Sequence, residues 1–154
     1  MIDFTLTDEQ KQLQGLAREF GRDVLGPAET ELDRLADPEA VFSSDRFRAV
    51  IRQAYELGFH KMGLREDLGG LGLDASTTGL VWEELARYGV GFAASLMASS
   101  TVPALIAFLA PKNKALIDRF VTPFVEDTTG RHMSAWGSSE PDVGSDGKNY
   151  TDPT

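Results

Sequence analysis

From Gly89 to Ala110 the chain carries no charged side chain, a run long enough to cross a bilayer. Such a run must end up either in lipid or inside protein. Ser95, Ser99, Ser100 and Thr101 dilute its hydropathy, and Gly89, Gly91 and Pro103 interrupt a helix. The reading is therefore two buried helical pieces broken near Pro103, with no membrane span. The rest of the chain must supply apolar faces to cover them.

Those faces are legible at helical spacing. Thr7 with Gln10 forms a capping box, Asp8 and Glu9 suit a helix N-terminus, and Leu13, Leu16, Ala17, Phe20 and Val24 make one apolar stripe. Gly26 and Pro27 are expected to stop this helix. An acidic surface connection, with at most a helical turn, runs from Glu29 to Glu39. Ser44 caps a second helix with Phe47, Val50, Ile51, Ala54 and Leu57 inward, ending at Gly58. Periodicity then lapses until Asp74, across a GGLGL loop (Gly69 to Leu73) whose glycines permit positive φ. A third helix carries Leu80, Val81, Leu85 and Tyr88 inward, with Glu83 and Arg87 as an exposed pair. After the uncharged run, a sixth helix from about Pro111 to Phe124 presents Leu116, Ile117, Phe120, Val121 and Phe124. Arg131 to Trp136 then loses the helical pattern and reads as a first strand, followed by the turn-rich segment Gly137 to Asp146. A lone strand is unstable, so either the natural chain carries more strands beyond Thr154 or this end is disordered; the abrupt ending on a strand and loop suggests a fragment.

Composition narrows the chemistry. Against 15 basic side chains stand 24 acidic ones, a formal charge of -9 that opposes nucleic acid and anionic lipid. No cysteine is present, which removes disulfides, thiolate metal sites and a nucleophilic thiol. The amino terminus resembles no secretory signal, so the expected location is cytoplasmic.

Several motifs have plain readings. Gly70, Gly72 and Ala75 imitate a dinucleotide fingerprint but follow charged residues, with no strand before them, so a helix-to-helix turn is expected. His60 and His132 lack any metal-ligand pattern and are read as structural. Glu83 and Glu84 point about 100° apart on a helix and are read as a solvated face. The segment from Ala135 to Asp146 differs. Its glycines and serines offer backbone N–H groups and hydroxyls, Trp136 a flat wall and Pro141 stiffness, as a planar heterocycle or a pyrophosphate requires. The same residue types also build ordinary surface turns.

The string AWGSSEPDVGSD resembles the flavin-loop motif of the acyl-CoA dehydrogenase family, matching E-P-x-x-G-S-D at Glu140, Pro141, Gly144, Ser145 and Asp146. Supporting strings stand upstream in the family's order: F-x-L-T-D-E-Q (Phe4 to Gln10), LG-F followed by GGLGL (Leu57 to Leu73), and EELAR (Glu83 to Arg87). The resemblance implies a mainly α fold: a six-helix amino-terminal bundle, residues 1–128, followed by the first strand and loop of a truncated β-domain, residues 129–154.

It also implies FAD as cofactor, held by Trp136, Ser138, Ser139, Gly144 and Ser145, with Ser145 placed to meet the acyl-CoA substrate as well. Ser139 stands where the family usually has threonine. The acyl pocket would be lined by Phe92, Ser95, Leu96 and Ser99, whose competing reading is plain core. The implied reaction is α,β-dehydrogenation of an acyl-CoA thioester to the trans-2-enoyl-CoA, with electrons passed to an electron-transfer flavoprotein or similar acceptor. It would occur in a homo- or hetero-oligomer. By the same resemblance the carboxylate base lies in a carboxy-terminal domain, so this chain is expected to be inactive alone. Two alternatives use the same residues: a non-catalytic flavin-binding or partner subunit, and a flavin acyl-CoA oxidase or monooxygenase.

Overall fold

The computed structural model of the protein describes residues 5–135 and Gly137. Eight helical segments join into six continuous rods: α1 (Asp8–Phe20) with α2 (Gly26–Leu32), α3 (Glu39–Ser43), α4 (Asp45–Glu56), α5 (Ala75–Tyr88), α6 (Val90–Leu109), and α7 (Lys114–Leu116) with α8 (Thr122–Glu126). The six-helix expectation holds in number, though the rods divide differently. Among the described residues there is no strand. Residues 131–135, read as a first strand, take no regular structure, because the described chain offers them no neighbouring strand to pair with.

The capping signals are realised. Thr7 and Gln10 form the reciprocal capping box, Ser44 accepts from the Phe47 amide at 3.1 Å, and Asp74 accepts from the amides of Ser76 and Thr77. Gly58 closes α4 in the left-handed conformation, φ 79°.

The prolines behave otherwise than expected. Gly26 and Pro27 do not stop the first helix. Gly21–Leu25 widens into a π turn, with the Gly26 amide reaching back to the Gly21 carbonyl, and the rod continues. Pro27 has no N–H to give, and the widened turn ahead of it absorbs the missing bond. The same device recurs at Ile117–Val121, where the Thr122 amide reaches the Ile117 carbonyl and Pro123 follows. The extra residue in that turn shifts the helix phase, which turns Phe120 outward while Val121, Phe124 and Val125 stay buried.

Pro103 does not break the uncharged run either. α6 is one helix of 20 residues with Pro103 buried inside it. By length and composition it could cross a membrane. Here Phe92, Ala93, Leu96, Ser99, Pro103 and Ala107 form its buried face against the bundle.

The core gathers Ala17, Leu25, Val50, Ala54, Tyr55, Leu85, Leu96 and Phe124 from all the long rods. Leu16 and Leu57, expected inward, are partly exposed, and Tyr55 takes the inner position on α4 that the spacing gave to Leu57. Glu84 corrects another expectation. It is buried, not solvated, and accepts two hydrogen bonds from the Arg18 guanidinium, at 2.7 and 3.2 Å. These bonds hold its carboxyl below the usual carboxylate range, against burial, which raises it.

Candidate functional site

The glycine loop is closed to ligands. Gly69 and Gly72 adopt positive φ as expected. The amides of Gly70, Leu71, Gly72 and Leu73 are spent on the carbonyls of Arg65, Lys61, Leu64 and Met62. No donor of that loop is left to cradle a phosphate, which bears out the helix-to-helix turn. Both histidines take structural places, and among the described residues no cluster of His, Cys, Asp or Glu could hold a metal. His60 is fully buried, stacked on Tyr55 with centroids 4.0 Å apart and edge-on to Phe124. Neither ring nitrogen makes a hydrogen bond of good geometry, though backbone groups of Phe124 and Val125 lie near enough to favour the protonated ring weakly. Burial, reinforced by Lys61, lowers its pKa to about 4.

The chain leaving α8 is held to the bundle at three successive points. The buried Asp127 carboxylate accepts from the Thr129 amide (2.6 Å), the Thr129 hydroxyl (2.7 Å) and the His132 amide (2.7 Å). Burial alone would push this carboxyl up. The bonds from His132, Thr129 and the Arg131 amide together outweigh burial and hold it well below the usual carboxylate range. Five residues on from Asp127, the Tyr55 hydroxyl donates to the His132 carbonyl at 3.1 Å. Burial pushes that hydroxyl's pKa up to about 12, so it acts as a donor. Next, the Ser134 hydroxyl donates to the Ser99 carbonyl at 2.6 Å. That carbonyl lies four residues before Pro103 and so has no helical N–H partner. Gly130 turns the loop at φ 75°, so close to Ile51 that a Cβ there would lie 2.5 Å from its Cγ2. This segment delivers the chain to Ala135, the first residue of the AWGSSEPDVGSD motif. The five residues assigned to the flavin, Trp136, Ser138, Ser139, Gly144 and Ser145, lie outside the described residues.

The four acyl-pocket candidates separate into two pairs. Phe92 and Ser95 line a cavity of about 220 Å³ between the amino-terminal end of α6 and helices α2 to α4. Leu96 and Ser99 are wholly buried in the core, and Ser99 donates its hydroxyl to the Ser95 carbonyl. Sequence reasoning missed Glu29, which it left in a surface connection. Its carboxylate accepts from the Gly91 amide at 3.0 Å, satisfying one of the free donors at the start of α6 from a different helix. No local pattern encodes a cap supplied from 62 residues away.

A larger groove of about 520 Å³ lies between α4 and the loop after α8, with Arg48, Arg52 and Arg131 on its walls.

The family model described as "Acyl-CoA dehydrogenase, N-terminal domain" matches residues 7–126. A curated relative, the short-chain specific acyl-CoA dehydrogenase of Megasphaera elsdenii, is 31% identical over 150 residues, covering 94% of this chain and 36% of the relative. The solved structure of butyryl-CoA dehydrogenase from the same organism superposes with a TM-score of 0.71 at 31% identity, over 95% of this chain and 36% of that one. A third, solved as PigA with FAD and proline, gives 0.70 at 25% identity over 94% and 35%. The chain thus spans about a third of the length of these relatives.

Proposed function

The chain belongs to the acyl-CoA dehydrogenase family, and from that premise we propose that it is the amino-terminal part of an FAD-dependent enzyme that oxidises an acyl-CoA thioester to the trans-2-enoyl-CoA. One of the similar solved structures, PigA, holds FAD. One observation carries the proposal furthest. The segment that leads into the flavin motif is tied by Ser134 to Ser99, on the same helix that carries the acyl-pocket candidates Phe92 and Ser95. The segment leading to the motif and the acyl-pocket candidates thereby meet on one helix, which supports a reaction that must bring a bound thioester and a flavin together.

Bound FAD supplies the hydride acceptor. In this reading Trp136, Ser138, Ser139, Gly144 and Ser145 hold it, the last also facing the thioester. The acceptor of the electrons is an electron-transfer flavoprotein or a similar protein. Residues 1–128 form the helical domain, and residues 129–154 begin the β-domain.

The test is spectroscopic. The full-length enzyme that contains this chain is titrated with FAD and its visible absorption recorded, then an acyl-CoA thioester is added without oxygen. Flavin bands that appear on uptake and bleach when the thioester is added support the reading. A well-folded full-length protein that takes up no FAD overturns it.

A further inference from the structure

The cavity beside Phe92 and Ser95 carries information about the acyl group, provided the proposed reaction is right. Three phenyl rings run along its wall: Phe42 meets Phe47 edge-on at 5.5 Å, and Phe47 stacks on Phe92 at 5.4 Å and 19°. Phe42, 63% exposed, is the most solvent-accessible of the three. The volume, about 220 Å³, exceeds the roughly 150 Å³ that suffices for an apolar cavity to bind benzene. The ionisable groups on its lining are the carboxylates of Glu29 and Asp33, with no lysine, arginine or histidine among the described lining residues. An apolar guest gains from burial against the phenyl wall. A guest with its own carboxylate would meet two like charges with no cation to offset them.

We infer that this cavity receives the distal end of the acyl group, and that the preferred substrate class is an uncharged acyl-CoA with a phenyl-sized or comparably bulky end. Glu29, by capping α6 at Gly91, fixes the floor of the pocket relative to Ser95. A Cβ on Gly91 would lie 3.1 Å from the Glu29 Oε1, so a side chain there would narrow the pocket.

Two measurements test this, and they fail differently from the flavin reading. In the first, benzyl alcohol is titrated into the isotopically labelled chain by NMR. The amides of Gly91 and Ser95 are expected to shift saturably, and Ser95→Phe, which fills the cavity, is expected to abolish the shift. Val41→Phe serves where the first variant loses its dispersed spectrum. Because no flavin is involved, failure to bind FAD leaves this result standing. Absence of the shift, or saturation only at a second, smaller cavity of about 110 Å³ lined by Phe59, Trp82 and Ala104, overturns the inference. In the second, the FAD-loaded enzyme is compared on 3-phenylpropanoyl-CoA, butanoyl-CoA and an acyl-CoA ending in a carboxylate. kcat/KM is expected to favour the phenyl substrate by about tenfold over butanoyl, to be lowest for the carboxylate, and to lose the phenyl preference in Ser95→Phe. Preference for butanoyl-CoA or for the carboxylate overturns the assignment while leaving the dehydrogenase reading intact.

Discussion

Ser134 donates its hydroxyl proton to the Ser99 carbonyl at 2.6 Å, and that oxygen is the one Pro103 leaves without a helical partner. A proline inside a buried helix ordinarily costs a hydrogen bond and invites a break. Here a residue 35 positions away supplies the donor. The helix stays continuous, and the segment leading to the motif is fastened to it.

Removing that donor strands a carbonyl on a fully buried residue. Ser134→Ala is expected to destabilise the protein by about 1–3 kcal/mol. Pro103→Ala restores a backbone N–H to the Ser99 carbonyl, so in that background Ser134→Ala is expected to cost clearly less. A double-mutant cycle by urea denaturation measures the difference. Purely additive costs would refute the link between the two residues.

The Arg18–Glu84 pair should respond asymmetrically. Glu84 is buried, whereas Arg18 is about half exposed and can return to water. Arg18→Leu removes both hydrogen bonds to the buried carboxylate and leaves it only Arg87, 3.8 Å away, so it is expected to cost about 2–3 kcal/mol, just short of a break that leaves a buried charge with no partner. Glu84→Leu is expected to cost roughly 1 kcal/mol, since the freed guanidinium resolvates. Equal costs, measured by thermal unfolding at one pH, would contradict the burial assigned to Glu84.

His60 gives a pH dependence with a definite sign. Its folded pKa, about 4, lies below the 6.5 of an ordinary imidazole. The unfolded chain therefore takes up the proton first as pH falls. The contribution is full above pH 6.5, declines between 6.5 and 4, and is gone below, amounting to on the order of 3 kcal/mol. His60→Phe keeps a ring between Tyr55 and Phe124 but cannot titrate. Its stability across that window is expected to be flatter than that of the natural protein, and parallel curves would show that His60 is not the titrating group.

Gly130 permits a more local test. A side chain there faces both a left-handed backbone and the Cγ2 of Ile51. Gly130→Ala is expected to lower stability by about 1–3 kcal/mol, with faster amide exchange concentrated in residues 127–135. Exchange rising evenly across all the helices would mean that the loop is not a separate anchor.

What the sequence determined by itself is local. Thr7, Ser44 and Asp74 cap their own helices three residues away at most, Gly58 closes α4, and apolar residues three or four apart must share a face. The family motif likewise lies in one short string. Tertiary structure decided whatever depended on a partner far along the chain. Pro103 reads as a helix breaker until Ser134 satisfies the carbonyl it releases. Glu84 reads as solvated until Arg18 arrives, and Glu29 reads as surface until Gly91 presents its amide. The four residues proposed for the acyl pocket share one helix, yet packing buries Phe92, Leu96 and Ser99 in the core, and only Phe92 and the half-buried Ser95 border a cavity. Backbone hydrogen-bond rules act over one turn and can be read residue by residue. The cost of burying a charge or a carbonyl is settled only by what folds against it.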